Sequence, residues 1–185
     1  YEIANGDWSS DVCSSDLGLP VKRFIAANNA NDIFYNYLQS GVYSPKPSVQ
    51  TLANAMDVGD PSNFARILDL YGNSHADIAA HISGATYKDE QIAETLKDVY
   101  EKTGYLLDPH GACGYRALQE QLAADEYGVF LETAHPAKFK EKVDAIIEGD
   151  IDIPAKLRAF MEGTKQSEPI SKEYSDFRSF LLSKI

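Results

Sequence analysis

The segment DPHGACGY, residues 108–115, combines groups that could bind an anion and move a proton. Asp108 is suited to the N-cap of a helix in which Pro109 takes the first helical position. Gly111 would leave backbone N–H groups exposed in the first turn, where they suit an anionic ligand. His110 could there exchange a proton or contact a phosphate. The alternative is a plain capped helix start with a histidine on the surface.

A second candidate is the segment LETAHPAKF, residues 131–139. The pattern predicts a strand that ends at Thr133 and a helix that begins at Pro136. Ligands of α/β folds bind at the carboxyl ends of strands, so Thr133 and His135 would lie on the ligand side. Alternatively, one of these two side chains only caps the helix. The residues leave both interpretations open.

The third candidate is a polar loop within TLANAMDVGDPSNFAR, residues 51–66. Its polar and glycine residues precede a predicted helix: Asp57, Gly59, Asp60, Ser62 and Asn63. In the functional interpretation, backbone N–H groups, Asn63 and Arg66 lie near a phosphate. In the structural one, Asp60 or Ser62 is the helix cap.

Other chemistry finds little support in the sequence. His75 and His81 lie outside these segments, and we interpret them as structural or solvated. The sequence has no CxxC, HExxH, P-loop or GxSxG pattern, so metal, NTPase and hydrolase-triad sites are not indicated, and we expect no metal. Cys13 lies in the first segment of the chain, which has a different character, so Cys113 is the remaining cysteine of the fold-bearing part. It suits a buried small side chain better than a nucleophile, and it leaves no disulfide framework.

Two strands and several helices must position these residues. We predict strands at residues 21–27 and 126–134, the first ending at an asparagine cluster that holds Asn29 and Asn31. Predicted helices cover residues 32–41, 61–72, 89–102, 108 onward, 135–149, 154–162 and 172–183. The elements alternate as in an α/β fold, but strands are few for the number of helices, and a parallel sheet normally needs more. We therefore expect the later part of a larger α/β domain.

Composition restricts the partners of the chain. The 185 residues carry a net charge of -11 and are 44% hydrophobic. Such acidity disfavours nucleic acid and anionic membranes as main partners. No apolar run approaches the length of a transmembrane helix, and the cysteine content favours a reducing cytoplasm.

The first residues have a different character. The segment DWSSDVCSSDL, residues 7–17, matches in order the translation of a common sequencing adapter, and the chain begins with Tyr instead of Met. We expect residues 1–17 to be an artefactual or disordered leader and residues 18–185 to carry the fold.

Four segments together resemble the threonine synthase family, in its order: GLPVKRFIAANNAND, TLANAMDVGDPSNFARI, DPHGACGY and ETAHPAKF. The resemblance spans residues 18–185 and is to the bacterial branch. It implies a fold type II pyridoxal-phosphate architecture, a three-layer α/β/α fold like that of tryptophan synthase β. It also implies a lyase that converts O-phospho-L-homoserine and water to L-threonine and phosphate.

The resemblance assigns roles to individual residues. It places Thr133 beside the pyridine nitrogen of the cofactor, as a neutral partner that leaves this nitrogen largely unprotonated. His135 and Asp32 would lie behind the residues that contact ligands. The residues implied for the substrate are Asp108, His110, Ser62, Asn63, Arg66, Asn29 and Asn31.

One part of the family pattern is missing. The family carries its cofactor lysine in a Lys-Asp motif in the N-terminal half, and a glycine-rich phosphate loop just before GLPVKR; neither segment has a counterpart in this sequence. Lys22 lacks the motif. The resemblance therefore predicts an inactive fragment whose partner is the N-terminal half. Two alternatives remain: a non-catalytic threonine-synthase-like binding domain, and a related phospho-lyase that makes 2-oxobutyrate.

Overall fold

The structure, a computed structural model, describes residues 21–184. The expected leader, residues 1–17, lies outside the described residues. The described chain forms two compact units, one that extends to Ile151 and one that begins at Asp152.

The centre of the first unit is a pair of parallel strands, β1 (Phe24–Asn28) and β2 (Ile82–Thr86). Strand β1 was predicted within a few residues, whereas β2 was not predicted. Gly84 weakens the strand signal in the sequence of β2, because glycine is disfavoured in strands. In the fold, a Cβ at Gly84 would lie 3.0 Å from the side chains of Leu38 and Tyr35, so the glycine allows a helix to pack closely.

Six helices belong to this unit: α1 (Ile33–Ser40), α2 (Phe64–Leu70), α3 (His75–His81), α4 (Asp89–Thr103), α5 (Pro109–Gln121) and α6 (Lys140–Ile147). Two 3-10 turns, Asn54–Met56 and Pro136–Phe139, complete it. The predicted α1, α4 and α5 are confirmed. Helix α1 ends as expected at Gly41, which adopts a left-handed φ of 72° and donates its N–H to Tyr37 O.

Other predicted boundaries were wrong. Helix α2 begins at Phe64, because Pro61 takes part in a preceding turn in which its carbonyl accepts the Phe64 N–H. The helix predicted for residues 135–149 is divided at Phe139, whose backbone is not helical. It also ends earlier, since Glu148 adopts the left-handed φ of 54° that we expected of Gly149. Helix α3 was not predicted.

The strand predicted for residues 126–134 is also wrong. Side chains alternate in exposure only over residues 129–134, with Phe130 turned inward against Tyr115 and Val129 87% exposed. However, this segment pairs with no strand among residues 21–184. Alternation is a local property of the sequence, whereas pairing requires a neighbouring strand.

Helices cover both faces of the two-stranded sheet. One core cluster lies between the sheet and α4, α5 and α6, with Leu96, Leu107 and Val143 fully buried. The other lies between the sheet and α1, α2 and α3, with Ile78 and Ile82 at its centre. The fold is therefore the expected three-layer α/β/α arrangement with few strands.

Cys113 belongs to the first of these core clusters. It is 1% exposed, and burial raises the pKa of its thiol to about 12. A thiol held protonated in this way is a poor nucleophile. The interpretation as a buried small side chain is confirmed.

The second unit contains α7 (Ala155–Met161) and α8 (Tyr174–Leu182). Both helices were predicted within two residues. Neither helix contains a buried residue. No helix within residues 21–184 combines the length and apolar character needed to cross a membrane.

Candidate functional site

The carboxyl end of β1 leads into a buried amide cluster. Asn29 is fully buried, and its Nδ2 lies 2.8 Å from Thr51 Oγ1, 3.1 Å from Ala53 O and 2.9 Å from Asp57 Oδ1. Its Oδ1 accepts the backbone N–H of Asn31 at 2.8 Å. The end of β1 is thereby fastened to the loop of residues 49–57.

Asn31 fastens the same loop from its other end. Its Oδ1 accepts the N–H of Val49 at 2.8 Å, and its Nδ2 donates to Val49 O at 2.9 Å and lies 3.1 Å from Asp57 Oδ1. Asp57 also accepts the Thr51 hydroxyl at 2.7 Å. The sequence singled out the asparagines but not this role of Asp57 and Thr51, since their contacts with the asparagines join residues distant in the chain. Substrate contact by Asn29 and Asn31 stays a prediction.

Asp108 is the N-cap of α5, as predicted. It is fully buried, and its Oδ1 accepts the backbone N–H of His110 at 2.7 Å. Gly111 in the first turn is buried instead of exposed, which does not favour the interpretation of this turn as an anion site. A Cβ at Gly111 would lie 1.9 Å from Glu132 Oε2, so the carboxyl group of Glu132 occupies the space above this turn.

Glu132 forms a close carboxyl pair with Asp108. Its Oε1 accepts the backbone N–H of Asp108 at 2.6 Å. Burial, and then the neighbouring Asp108, raise the pKa of Glu132 to about 8. Burial alone would raise the pKa of Asp108 too, but hydrogen bonds with His110 and Glu132 lower it below its ordinary value. Glu132 was not singled out from the sequence, because it occupied an ordinary polar position of a predicted strand.

His110 connects this pair to the amide cluster. Its side chain is 9% exposed, so the alternative of a surface histidine is wrong. The ring donates from Nδ1 to Asp108 Oδ1 at 2.6 Å, and Nε2 accepts the N–H of Ala55 at 3.1 Å. These two bonds assign the neutral Nδ1–H tautomer. The ring also packs against Phe139, with centroids 5.1 Å apart. Both ring nitrogens are thus occupied within the chain.

Thr133 and His135 have different environments. His135 Nδ1 accepts the N–H of Ala137 at 3.1 Å and caps the turn Pro136–Phe139. The capping interpretation is therefore confirmed for His135. Thr133 is exposed, and its hydroxyl bonds to no other residue of the described part of the chain. A hydroxyl in this state can donate to a ligand.

A pocket lies between the end of β1 and the start of α2, and Asn31 and Asn63 both line it. Three positions after Asn63, Arg66 is exposed on α2. Within residues 21–184 neither side chain has a hydrogen-bond partner. Asp60 is not the helix cap, since it accepts the Tyr43 hydroxyl at 2.8 Å.

The remaining candidates lie at the surface. Ser62 is exposed. Asp32 precedes α1, where it pairs with Lys46 and accepts from Asn36 Nδ2 at 2.9 Å. The structure thus joins Asn29, Asn31, Asp108 and His110 into one connected network.

The residues present fit one side of a pyridoxal-phosphate site. The unpaired Thr133 hydroxyl is a suitable donor to an uncharged ring nitrogen. No lysine was expected to bind the cofactor. Lys22 forms an ion pair with Glu126 at the surface. A lysine followed by an aspartate in sequence occurs twice, at Lys88 before α4 and at Lys97 within it. Lys97 forms an ion pair with Glu148 at 2.8 Å.

Comparison with known proteins supports this fit. The family described as "Pyridoxal-phosphate dependent enzyme" matches residues 15–131, and "Threonine synthase, C-terminal" matches residues 111–181. Threonine synthase from Buchnera aphidicola subsp. Acyrthosiphon pisum is 40% identical over 97% of this chain, and that from Escherichia coli 39% over 96%. The chain covers 41% of the length of each of these relatives.

Solved structures agree with the sequence relatives. The crystal structure of Escherichia coli threonine synthase superposes with a TM-score of 0.87 at 38% identity, over 98% of this chain and 42% of that one. The pyridoxal-phosphate-bound threonine synthase from Brucella melitensis gives a TM-score of 0.78 at 30% identity, over 86% of this chain and 40% of that one. The chain therefore belongs to the pyridoxal-phosphate dependent enzyme family, in which it corresponds to the C-terminal part of threonine synthase.

Proposed function

We propose that this chain is the C-terminal part of the catalytic region of an enzyme that converts O-phospho-L-homoserine and water to L-threonine and phosphate. The observation that carries the proposal is the exposed, unpaired hydroxyl of Thr133 beside the Asp108–Glu132 pair. The resemblance to threonine synthase independently assigns this threonine to the cofactor. The match to a pyridoxal-phosphate family and the cofactor-bound relative support the assignment.

Thr133 would hold the ring nitrogen of pyridoxal phosphate. When bound, this cofactor supplies an electron sink for the bonds that break and form on the substrate. A hydroxyl donates a hydrogen bond without protonating the nitrogen, so it moderates this sink. Thr133 is well placed for the task because both sides of it are anchored: Glu132 accepts the Asp108 N–H, and His135 caps the following turn.

Arg66 and Asn63 would bind the phosphate group of the substrate, with Ser62 beside them. A guanidinium group can bind two phosphate oxygens at once, and an amide N–H adds a third contact. Both side chains lie at the start of α2, and Asn63 lines the pocket together with Asn31. Among the described residues Arg66 forms no ion pair, so its guanidinium group is available to a ligand.

Asn29, Asn31, Asp108 and His110 would form the wall of the substrate pocket, with Asp32 behind them. Their hydrogen bonds hold the loop of residues 49–57 against the start of α5. Direct contact of His110 with the substrate would require replacement of its bond from Ala55. We therefore propose that these residues mainly orient the pocket.

The cofactor lysine would come from the N-terminal part of the enzyme. The whole protein would act in the cytoplasm, since Cys113, the cysteine within residues 21–184, is buried and needs no disulfide partner. Nucleic acid and membranes would not be its partners. Residues 18–185 alone would form no product.

The test supplies the purified full-length protein with pyridoxal phosphate and O-phospho-L-homoserine and identifies the products. L-threonine and phosphate in equal amounts are the expected result. Formation of 2-oxobutyrate would favour the related phospho-lyase. An absence of turnover, with the substrate still bound, would favour the non-catalytic binding domain. Residues 18–185 alone serve as the control, and threonine formation by them would contradict the required N-terminal lysine.

A further inference from the structure

The carboxyl groups of Asp108 and Glu132 meet in a buried place at the start of α5. Glu132 Oε1 accepts the Asp108 N–H at 2.6 Å, while Glu132 Oε2 and Asp108 Oδ2 are buried and have no hydrogen-bond partner within the described residues. Two buried carboxylates so close together cannot both remain ionised. One proton held between them would supply the hydrogen bond that both of these oxygens lack.

The surroundings offer no other neutralising charge. The ionisable groups that face the pair are His110, which donates to Asp108 Oδ1, and Cys113, whose thiol is held protonated, with Asp89 farther away. Among residues 21–184 no lysine or arginine forms an ion pair with either carboxyl group. An unpaired charge in such a place is costly, so a proton is the available counterion.

The backbone of α5 is adapted to this carboxyl group. A side chain at position 111 would place its Cβ 1.9 Å from Glu132 Oε2 and 2.6 Å from Glu132 Cδ. Gly111 therefore creates the space that Glu132 fills. This fit requires the segment that carries Thr133 to lie against the first turn of α5.

We propose that Glu132 is a positioning residue that holds Thr133 in place for the cofactor. Its carboxyl group is protonated and donates a hydrogen bond to Asp108. Asp108 stays ionised and keeps His110 in its Nδ1–H tautomer. This inference rests on the proposed function, because it concerns the threonine assigned to the cofactor.

The arrangement makes the site sensitive to alkaline pH. The pKa of Glu132 rises from an ordinary 4.5 to about 8 in the folded chain. Between these values the folded chain binds a proton that the unfolded chain has released. The contribution of the pair to stability is therefore complete below pH 4.5 and is lost as the pH rises through about 8. Loss of the proton leaves two negative carboxylates that repel each other, and this repulsion releases the segment next to Thr133.

The test compares Glu132→Gln with Glu132→Ala in the full-length enzyme. A glutamine amide can donate to Asp108 at every pH, whereas alanine cannot. We expect the kcat/KM of the wild type to decline above pH 8. Glu132→Gln should keep kcat/KM within about threefold of the wild type at pH 7 and should not show this decline. Glu132→Ala should lose about tenfold or more in kcat/KM at all pH values. Glu101→Gln, on the exposed surface of α4, is the matched control and should leave the pH profile unchanged.

A second readout needs no substrate. Infrared spectra should show the carbonyl band of a protonated carboxylic acid at pH 7 that disappears near pH 8 and is absent from Glu132→Gln. Absence of this band from the wild type, or a pH profile of Glu132→Gln equal to that of the wild type, would overturn the inference. Failure of the proposed function would be distinct, since the wild type would then form no threonine whatever the infrared result.

Discussion

The backbone N–H of Ala55 donates a hydrogen bond of 3.1 Å to His110 Nε2, across 55 positions of the chain. This bond joins the two polar parts of the site. On one side, Asn29 and Asn31 hold the loop that contains Ala55. On the other side, His110 is oriented by Asp108. The end of β1 and the start of α5 therefore behave as one unit.

Replacement of His110 should separate these parts. His110→Ala removes the bond from Ala55 and leaves the buried Asp108 carboxylate with fewer partners, so we expect the free energy of unfolding to fall by about 2–3 kcal/mol. Urea unfolding of the full-length enzyme measures this change. The control is His81→Ala, because His81 is exposed and bonds only to Asp77 O of its own helix. Equal effects of the two substitutions would contradict the bridging role.

Asn29 should be the most sensitive position of the amide cluster. Asn29→Ala removes the bonds to Thr51, Ala53 and Asp57 and leaves buried polar groups with fewer partners, so we expect a loss of about 2–3 kcal/mol of stability. The exposed Asn36, which bonds only to Asp32, offers the control Asn36→Ala, with an expected effect below about 0.5 kcal/mol. Thermal unfolding of both variants gives the comparison. A loss from Asn29→Ala as small as that of the control would refute the fastening role.

Gly111 and Gly114 provide a matched pair within α5. Gly111→Ala places a Cβ against the carboxyl group of Glu132 and should cost about 1–3 kcal/mol. Gly114→Ala meets only ordinary contact, 3.6 Å from Phe130 Cβ, and should stabilise the helix by about 0.5–1 kcal/mol.

A double-mutant cycle then tests the cause. Because Glu132→Ala removes the obstructing carboxyl group, it should reduce the cost of Gly111→Ala by about 1 kcal/mol or more. The stabilities of all four proteins come from urea unfolding. Additive effects would show that Glu132 does not occupy the space above Gly111.

Arg66 should act on substrate affinity and little on stability, since it is exposed. Arg66→Ala should raise KM for O-phospho-L-homoserine about tenfold or more, and Arg66→Lys should recover part of this loss, because a lysine keeps the charge but not the bidentate geometry. Steady-state kinetics measure both variants. Arg158→Ala, at an exposed position of α7, is the control. An unchanged KM in Arg66→Ala would remove Arg66 from the phosphate site.

Local chemistry was sufficient to predict some of these features. Asp108 and Pro109 marked the start of α5, and Gly41 marked the end of α1, because caps depend on neighbouring residues. The resemblance to threonine synthase likewise rested on short segments, and it is confirmed. Such features can be predicted from a sequence because the residues that form them are close together in it.

Contacts between distant residues could not be predicted in this way. Glu132 meets Asp108 across 24 positions, and Asp57 meets Asn29 across 28, so neither partner leaves a local pattern. Side chains do alternate in exposure over residues 129–134, but a strand also needs a neighbour. Strand β2 was missed for the opposite reason: it has a neighbour, but Gly84 obscures its local signal.

The most direct test of the proposed role of Thr133 is a crystal structure of the full-length enzyme with pyridoxal phosphate bound. We predict that Thr133 Oγ1 lies within about 3 Å of the pyridine nitrogen, at hydrogen-bonding distance. We also predict that the cofactor is attached to a lysine from the N-terminal part. A ring nitrogen paired with a carboxylate, or placed away from Thr133, would contradict the central assignment.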